Sequence, residues 1–311
     1  SEGRIRDIYM STMLPYDLHF RVGRILTDVE GDHDFYTEND AIFTDFRYDG
    51  FEFKKTWGNF SGMAFVGRNT NREHSLYDTV VDPDEGNFMA YGLNLDYATE
   101  KWFMGAAGYW FQDDEVQDVG SWGFSTYNVY AGFNFTPAVS LRGTYYFQNL
   151  DRDLADTLGF VGAEDNPRAW KAVLNFDQSM LKFTSLRFEY SQTDNMFYGT
   201  RDYYGLGADT GQAPSAMTNM PYNNGSTKVF WVRADQKWND KWSTFLRYYQ
   251  ADFDTAGLDD SKSYAAAITY QYTPAIAFRL IYDLVDYGSG NTGTANNGKD
   301  HVVQFRTTLS F

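Results

Sequence analysis

The sequence predicts an all-β protein, a transmembrane antiparallel β-barrel. Three observations predict it: apolar and polar residues alternate along most of the chain, short turns and long polar loops follow each other between the alternating segments, and one face of each segment is polar. A period of two is that of a strand. Strands of about ten residues, with short turns at one end and long loops at the other, are typical of outer-membrane barrels.

The composition is unusual for a soluble core. The 311 residues include 26 Phe, 24 Tyr and 8 Trp, yet 22% of the chain is charged. No stretch approaches the roughly 18 consecutive apolar residues of a membrane helix. The net charge of −16 excludes nucleic acid as a partner, because phosphate binding needs a basic surface. The absence of cysteine excludes disulfides and thiolate chemistry.

The alternation divides the chain into fifteen predicted strands. All seven prolines fall between these strands, as expected for a residue that cannot donate to a strand ladder. The predicted strands are 4–13, 17–26, 41–57, 60–69, 87–97, 102–112, 122–135, 139–150, 168–177, 184–194, 226–237, 241–254, 262–272, 275–287 and 301–311.

Tight turns and long loops alternate between these strands. The tight turns are predicted at Pro15-Tyr16, Gly58-Asn59, Thr99-Glu100, Thr136-Pro137, near Gln178-Ser179, at Asn239-Asp240 and at Thr273-Pro274. The long loops are predicted near 27–40, 70–86, 113–121, 151–167, 195–225, 255–261 and 288–300.

Bacterial single-chain barrels have an even number of strands. Fifteen is odd, and the favoured explanation is a sixteenth strand upstream of Ser1. The alternatives are a total of fourteen, if 4–13 is not a strand, or a division of the segment 41–57 into two strands. In each case residues 1–311 form one barrel domain.

Several predicted strands carry an arginine near the middle. A charge at that depth facing lipid would cost about 2–4 kcal/mol, so these side chains are expected to face a water-filled interior together with nearby carboxylates. The predicted interior residues are Arg142, Arg187, Glu189, Arg233, Asp235, Arg247, Arg279, Asp283 and Arg306.

Aromatic residues cluster at the ends of the strands, as in the two interfacial girdles of a barrel. The predicted turn-side girdle is Trp57, Tyr97, Trp102, Phe135, Trp238, Trp242 and Tyr272, and the predicted loop-side girdle is Tyr109, Trp110, Tyr249 and Tyr287.

The longest loop, 194–225, is rich in Gly and Tyr and carries little charge, which favours a constriction folded into the interior over a surface cap or a disordered loop. Its candidate residues are Asp194, Arg201, Asp202, Tyr203, Tyr204 and Asp209.

A barrel of sixteen strands is wide enough to hold an aqueous channel. We therefore predict passive diffusion of small hydrophilic solutes and ions. Acidic loops concentrate cations and the interior arginines favour anions, and we expect a weak preference for cations. No cofactor is expected. Acidic loops suit Ca²⁺, but none has the spacing of an ordered calcium loop, so calcium is the less favoured interpretation.

Two other classes of function stay open. A channel specific for oligosaccharides would stack sugars on interior rings, for which Tyr130, Tyr146 and Tyr249 are the candidates. An enzyme on a closed barrel is less favoured, because His33 is the only histidine flanked by aspartates and the sequence has no G-x-S-x-G or H-E-x-x-H motif.

Three segments resemble one family. "RADQKWNDKWSTFLRYYQADFDTAGLDDSKSY", "ITYQYTPAIAFRLIYDLVDYG" and, more loosely, "YDGFEFKKTWGNFSGMAFVGR" are similar to the barrel part of the S-layer-homology (SLH) porins, the OmpM-type proteins of diderm Firmicutes such as the Negativicutes. The segments cover about a third of the chain and are hairpin patterns rather than a catalytic signature.

The resemblance implies a homotrimeric sixteen-stranded porin in the bacterial outer membrane, with membrane lipids as its surroundings. An N-terminal periplasmic SLH and stalk region, not contained in this chain, would tie the membrane to the cell wall. The last strand also resembles the C-terminal strands of outer-membrane proteins, in which a final Phe, here Phe311, is read by the barrel-assembly machinery. Small residues in "MGAAGYW" and Ala266 are weak candidates for a subunit contact.

Overall fold

The computed structural model describes residues 8–27, 46–69, 88–116, 120–150, 166–194, 197, 226–254, 259–288 and 299–310. Nearly all of them lie in strands. The strands are β1 Ile8–Leu14, β2 Leu18–Thr27, β3 Phe46–Trp57, β4 Phe60–Asn69, β5 Phe88–Ala98, β6 Trp102–Val116, β7 Gly120–Thr136, β8 Val139–Leu150, β9 Arg168–Phe176, β10 Ser185–Thr193, β11 Thr227–Lys237, β12 Trp242–Phe253, β13 Ser261–Thr273, β14 Ile276–Asp286 and β15 Lys299–Leu309.

The fifteen strands are hydrogen-bonded to one another in sequence order from β1 to β15. The pairs from β1 to β6 and from β10 to β15 are antiparallel. The predicted all-β antiparallel fold is therefore confirmed. Because Ile8–Leu14 is a strand, the total of fourteen that omitted it is wrong. A sixteenth strand stays a prediction. The role of Phe311 as an assembly signal also stays a prediction, because Phe311 lies outside the described residues.

Two predicted tight turns contain short helical pieces. Pro15–Asp17 forms a 3₁₀ turn between β1 and β2. After β9 the chain forms a four-residue helix, α1 (Gln178–Leu181), where a simple turn was predicted. The carboxylate of Asp177 caps α1 by accepting a hydrogen bond of 2.8 Å from the backbone N–H of Ser179, and hydrogen bonding from Ser179 lowers the pKa of Asp177. No helix in the described part of the chain is long and apolar enough to cross a membrane.

The chain divides into two compact units. Of the described residues, unit 1 holds β1–β6, β7 as far as Gly132, Thr144–Leu150 of β8, the start of β9 and Phe197. Unit 2 holds the hairpin turn Phe133–Gly143, Trp170–Asp194 and everything from β11 onward.

Unit 1 is packed by rings lying over glycines. The space that a Cβ on Gly92 would fill is occupied by the ring of Phe65, which lies opposite it on β4. Tyr48 covers Gly67 in the same way, and two further glycines of β6 and β7 are covered by Tyr130 and Phe103. A ring that covers a strand glycine restores the packing that the missing side chain would have provided, and it lets the sheet curve.

Unit 2 has a different core. Its buried apolar cluster consists of Phe245, Ala265, Ala267 and Ile281, on β12, β13 and β14. The inner face of β13 carries only small residues over Ser261–Ala267, so side chains of β12 and β14 can meet above it. This small-residue strip positions the charged groups described next.

Candidate functional site: the inner face of the strands

Most strands away from the ends of the sheet have a more buried face and a more exposed face. We call the buried face inner and the other outer. On β12, Phe245 and Arg247 are buried on the inner face, while Leu246 between them is 64% exposed. The outer faces carry large exposed apolar residues, including Leu93, Val129, Phe147, Ile268 and Leu280. A soluble protein rarely exposes so much apolar surface, whereas lipid accepts it.

All nine predicted interior residues lie on inner faces, and all nine belong to unit 2. They are six arginines and three carboxylates. Arg142 is on β8, Arg187 and Glu189 on β10, Arg233 and Asp235 on β11, Arg247 on β12, Arg279 and Asp283 on β14, and Arg306 on β15.

Three of the arginines form a row. Arg187 lies directly opposite Arg233, and Arg233 lies directly opposite Arg247. Like charges directly opposite each other destabilise a sheet, so the row needs compensation. Arg187 donates through Nε to Oδ1 of Asn175 at 2.7 Å, and Arg233 makes a two-pronged contact with Asp235, with Nε–Oδ2 at 2.8 Å and Nη2–Oδ1 at 2.7 Å.

Arg247 finds its carboxylate two strands away. Its Nη2 lies 3.2 Å from Oδ2 of Asp283 on β14 and 2.7 Å from Oγ of Ser263 on β13. Ser263 in turn donates to Oδ1 of Asp283 at 2.9 Å. The contact is reached across Ala265, whose methyl group leaves the space open. The three buried polar groups are hydrogen-bonded to one another, as buried charges require.

A buried ion pair lies on the same inner face, and the sequence predicted only one of its two residues. Glu189 was predicted to face the interior, but its partner Lys171 on β9 was not singled out. Nζ of Lys171 lies 2.6 Å from Oε1 of Glu189, and both side chains are almost fully buried. Lys171 alternates with buried Ala169 and Val173, and that alternation was the available signal.

Unit 1 also carries charged residues on its inner face. Arg21 donates through Nε to Oε1 of Glu52 at 2.8 Å, and the buried Tyr48 donates to Oε2 at 3.2 Å. On β5, the carboxylate of Asp96 accepts a hydrogen bond from Tyr130. None of these residues was predicted as an interior charge, because none lies in a clear mid-strand arginine pattern.

Burial on the inner face changes along the strands. At the loop ends the inner residues are buried, as for Val229 and Trp231 on β11, while at the turn end of the same strand Asp235 and Lys237 become accessible. The same gradient is present on β8, where Leu150 is buried and Ser140 is partly exposed. On these two strands the inner face is buried at the loop end and accessible to solvent at the turn end.

The predicted constriction loop is described at two positions only. Asp194 is partly exposed just after β10, and Phe197 is fully buried. The ring of Phe197 meets the inner ring of Tyr146 edge to face, with centroids 6.0 Å apart. Arg201, Asp202, Tyr203, Tyr204 and Asp209 lie outside the described residues, so their role stays a prediction.

The aromatic predictions are confirmed only in part. Of the turn-side residues, Trp57, Trp102, Phe135, Trp238, Trp242 and Tyr272 are exposed. On the loop side Trp110 is exposed, but Tyr109, Tyr249 and Tyr287 are buried, so placing these three in an outer girdle was wrong. Tyr109 and Trp110 are consecutive and must point to opposite faces. Tyr287 donates a hydrogen bond of 2.8 Å to Oδ2 of Asp300. Burial, together with this hydrogen bond, raises the pKa of Tyr287 to about 12.

The comparison with solved structures gives the fold. The chain is similar to the outer membrane protein OprD of Pseudomonas aeruginosa, with 14% identity, a TM-score of 0.55 and coverage of 94% of this chain and 75% of that chain. OccK11 (OpdR) of the same organism matches with 11% identity and a TM-score of 0.58, covering 94% of this chain and 78% of that one. No family model and no curated protein matches the sequence.

The fold is thus that of an outer-membrane β-barrel. At these identities the likeness carries the fold and not the activity, which has to be argued from the chain's own residues. The described residues hold no group of three or more His, Cys, Asp or Glu side chains placed to bind a metal ion. The acidic loops considered for calcium lie mostly outside the described residues.

Proposed function

We propose that the protein is an outer-membrane porin that lets small hydrophilic solutes and ions diffuse passively. The observation that carries this proposal is the pairing of an apolar exposed outer face with charged side chains at mid-strand on the inner face, seen most clearly at Leu246 and Arg247. In a barrel in lipid, inner charges at that depth call for water, and a water-filled barrel conducts.

The inner face of unit 2 also supports a selectivity. Six arginines of the predicted set share it with three carboxylates, one of which is paired with Lys171. A wall with an excess of one sign of charge raises the local concentration of counter-ions. We propose that this wall favours anions, in place of the weak cation preference expected from the acidic loops.

The test is single-channel current of the detergent-purified protein in a planar bilayer, with a salt gradient to read the reversal potential. A porin gives stable conductance at low voltage, and an arginine wall gives a reversal potential on the anion side. A folded, heat-modifiable protein that conducts nothing would overturn the porin proposal. Conductance with a cation-side potential would overturn the selectivity alone.

A second candidate is a channel specific for oligosaccharides. Four inner aromatic residues support it, namely Tyr130, Tyr146, Trp231 and Tyr249, because rings can stack on sugar faces. All four are buried, so a sugar would have to displace what covers them. Block of the open-channel current by a malto-oligosaccharide, but not by sorbitol at equal mass concentration, would favour this candidate over general diffusion.

We further propose that the chain is the barrel portion of an SLH porin, that it acts without a catalytic site or cofactor, and that it forms a homotrimer after insertion by the barrel-assembly machinery. The three similar segments support the family. Chemical cross-linking in native membranes should give a trimer band, and the full-length protein should sediment with purified cell wall. A monomer band would overturn the homotrimer, and protein that stays in the supernatant would overturn the assignment to an SLH porin. Neither result would affect the porin proposal.

A further inference from the structure

Three charged residues form a row across the outer face of unit 1, near the loop ends of neighbouring strands. Arg24 on β2 lies directly opposite Asp49 on β3, and Asp49 lies directly opposite Arg68 on β4. Ile25 and Tyr48, the residues next to Arg24 and Asp49, are buried on the inner face, so alternation places the row on the outer face. We call Arg24, Asp49 and Arg68 the outer charged row; it holds two cations and one anion.

The carboxylate of the row is bound by one of its two arginines. Arg24 donates to Asp49 through Nε–Oδ1 and Nη2–Oδ2, both at 2.9 Å. A guanidinium has five N–H donors, so three of those of Arg24 are not used by this contact. The pair is not covered, because the side chains of Arg24 and Asp49 are 35% and 39% exposed.

Arg68 supplies the excess positive charge of the row. Its side chain is exposed, and among the residues that the structure describes no hydrogen bond or ion pair joins it to a carboxylate. With Arg24 and Asp49 paired, the row carries a net charge of about +1 on a surface that faces outward. Such a surface is complementary to an anion.

The outer face becomes apolar immediately on the turn side of the row. The next outer positions on the same three strands are Val22, Phe51 and Val66, and Tyr91 on β5 lies opposite Val66. Phe51 is 47% exposed, and Leu93, one step further along β5, is 56% exposed. An outward charge is costly at the middle of the lipid layer and nearly free at its edge. The row therefore lies where the hydrocarbon of the membrane meets the lipid headgroups.

Phosphate is the headgroup component that matches this row chemically. A guanidinium presents parallel N–H groups that fit two phosphate oxygens at once, and such charge-assisted hydrogen bonds are strong. The net positive charge favours a headgroup with net negative charge over one whose phosphate is balanced by its own cation. The exposed apolar residues next to the row provide a surface for acyl chains.

We propose that the outer charged row is a binding site for the phosphate of an anionic membrane lipid, with Arg68 as its main contact and the acyl chains lying over Phe51 and Leu93. The inference goes beyond the porin proposal, because it concerns the lipid-facing surface and requires no conduction. A protein that fails to conduct would overturn the porin proposal and leave this site in place.

The test is native mass spectrometry of the detergent-solubilised full chain, titrated with dioleoyl phosphatidic acid. Two further titrants separate the sources of binding. Dioleoyl phosphatidylcholine has the same acyl chains and a balanced headgroup, and glycerol phosphate has the phosphate without the chains. We expect the parent protein to bind phosphatidic acid more tightly than either of them.

Arg68→Gln should weaken the binding of phosphatidic acid about fivefold, the factor expected for one basic residue at an anionic lipid surface. Asp49→Asn should act in the opposite direction and tighten it, because it removes the anion of the row. The matched control is Lys228→Gln on β11, which also removes one exposed positive charge at a loop end, but where a single lysine faces the single carboxylate of Asp252. The control should bind like the parent.

Heat-modifiability shows that each variant is folded, and the opposite signs expected for Arg68→Gln and Asp49→Asn exclude a general loss of structure as the cause. Equal affinity of the parent for phosphatidic acid and phosphatidylcholine would overturn the inference. So would an Arg68→Gln protein that binds like the Lys228→Gln control. Glycerol phosphate bound as tightly as phosphatidic acid would overturn the assignment to a lipid.

Discussion

The inner faces of the two units follow the same alternation yet form two kinds of wall. In unit 1, rings such as Phe65 and Tyr48 lie over glycines of neighbouring strands, and inner charges such as Arg21 and Glu52 neutralise each other. In unit 2, six arginines line the face, and three of them stand in one cross-strand row.

The difference shows that the residues between the charges decide what a wall can do. A glycine opposite a ring gives close packing with no room for a long polar side chain. A strip of small residues such as Ser263, Ala265 and Ala267 gives long side chains of the flanking strands space to meet. The first arrangement builds a closely packed wall and the second builds a wall rich in arginine.

The largest expected effect comes from breaking the buried pair in the charged wall. Lys171→Met leaves the buried carboxylate of Glu189 without its cation, 2.6 Å away in the parent protein. Loss of one partner of a buried pair costs about 3–5 kcal/mol, and we expect that decrease in the free energy of unfolding. Urea unfolding in lipid vesicles, followed by tryptophan fluorescence, measures it. The double variant Lys171→Met/Glu189→Leu should recover most of the loss; a single variant as stable as the parent would show that the pair is not needed.

The next largest effect should come from placing a charge on the outer face of a strand. Leu280 on the outer face of β14 is exposed, and Leu280→Arg should cost about 2–4 kcal/mol because it places a charge in lipid. Gln304→Arg on the inner face of β15, one position removed in the ladder, should cost little. The same vesicle unfolding assay compares them. Equal costs would mean that the two faces are not distinguished by lipid and water.

The packed wall can be tested with one methyl group. A Cβ on Gly92 would overlap Cε1 of Phe65, so Gly92→Ala should destabilise the protein by about 1–3 kcal/mol. Gly143→Ala, on the outer face of β8, is the control, because the nearest contact there would be an ordinary 3.5 Å to the carbonyl oxygen of Lys171. If the control loses as much stability as Gly92→Ala, the ring–glycine packing is not what makes the first wall sensitive.

Neither wall should depend on the helix cap at the turn side. Asp177→Ala removes the cap of α1 and should cost at most about 1 kcal/mol. The pKa of Asp177 is lower in the folded protein than its ordinary value of 3.8. The carboxylate therefore stabilises the folded protein above pH 3.8, and this stabilisation is lost as the pH falls through the pKa of the folded state. Stability measured from pH 6 to pH 3 should therefore converge for the parent and the variant, and a constant difference would refute the assignment.

The sequence predicted the strands and the faces well, since both follow from a period of two. All six predicted arginines share the inner face, as the alternation predicts, and their pore-lining role stays a prediction. The sequence could not predict the Arg187–Arg233–Arg247 row or the Gly92–Phe65 contact, because both depend on the register between strands. Tyr249 was predicted both as an interior ring and as a girdle residue. It lies two residues from Arg247 on β12, so both side chains are on the inner face.

The central claim is that inner faces meet water and outer faces meet lipid. The chain contains no cysteine, so single cysteines report without interference. The most direct measurement introduces cysteine on β13 at the inner positions Thr269 and Gln271 and at the outer positions Ala266 and Ile268, in vesicles exposed to a charged, water-soluble thiol reagent. The account predicts rapid labelling at the inner pair and protection at the outer pair. Equal labelling at all four positions, or protection of the inner pair, would contradict it.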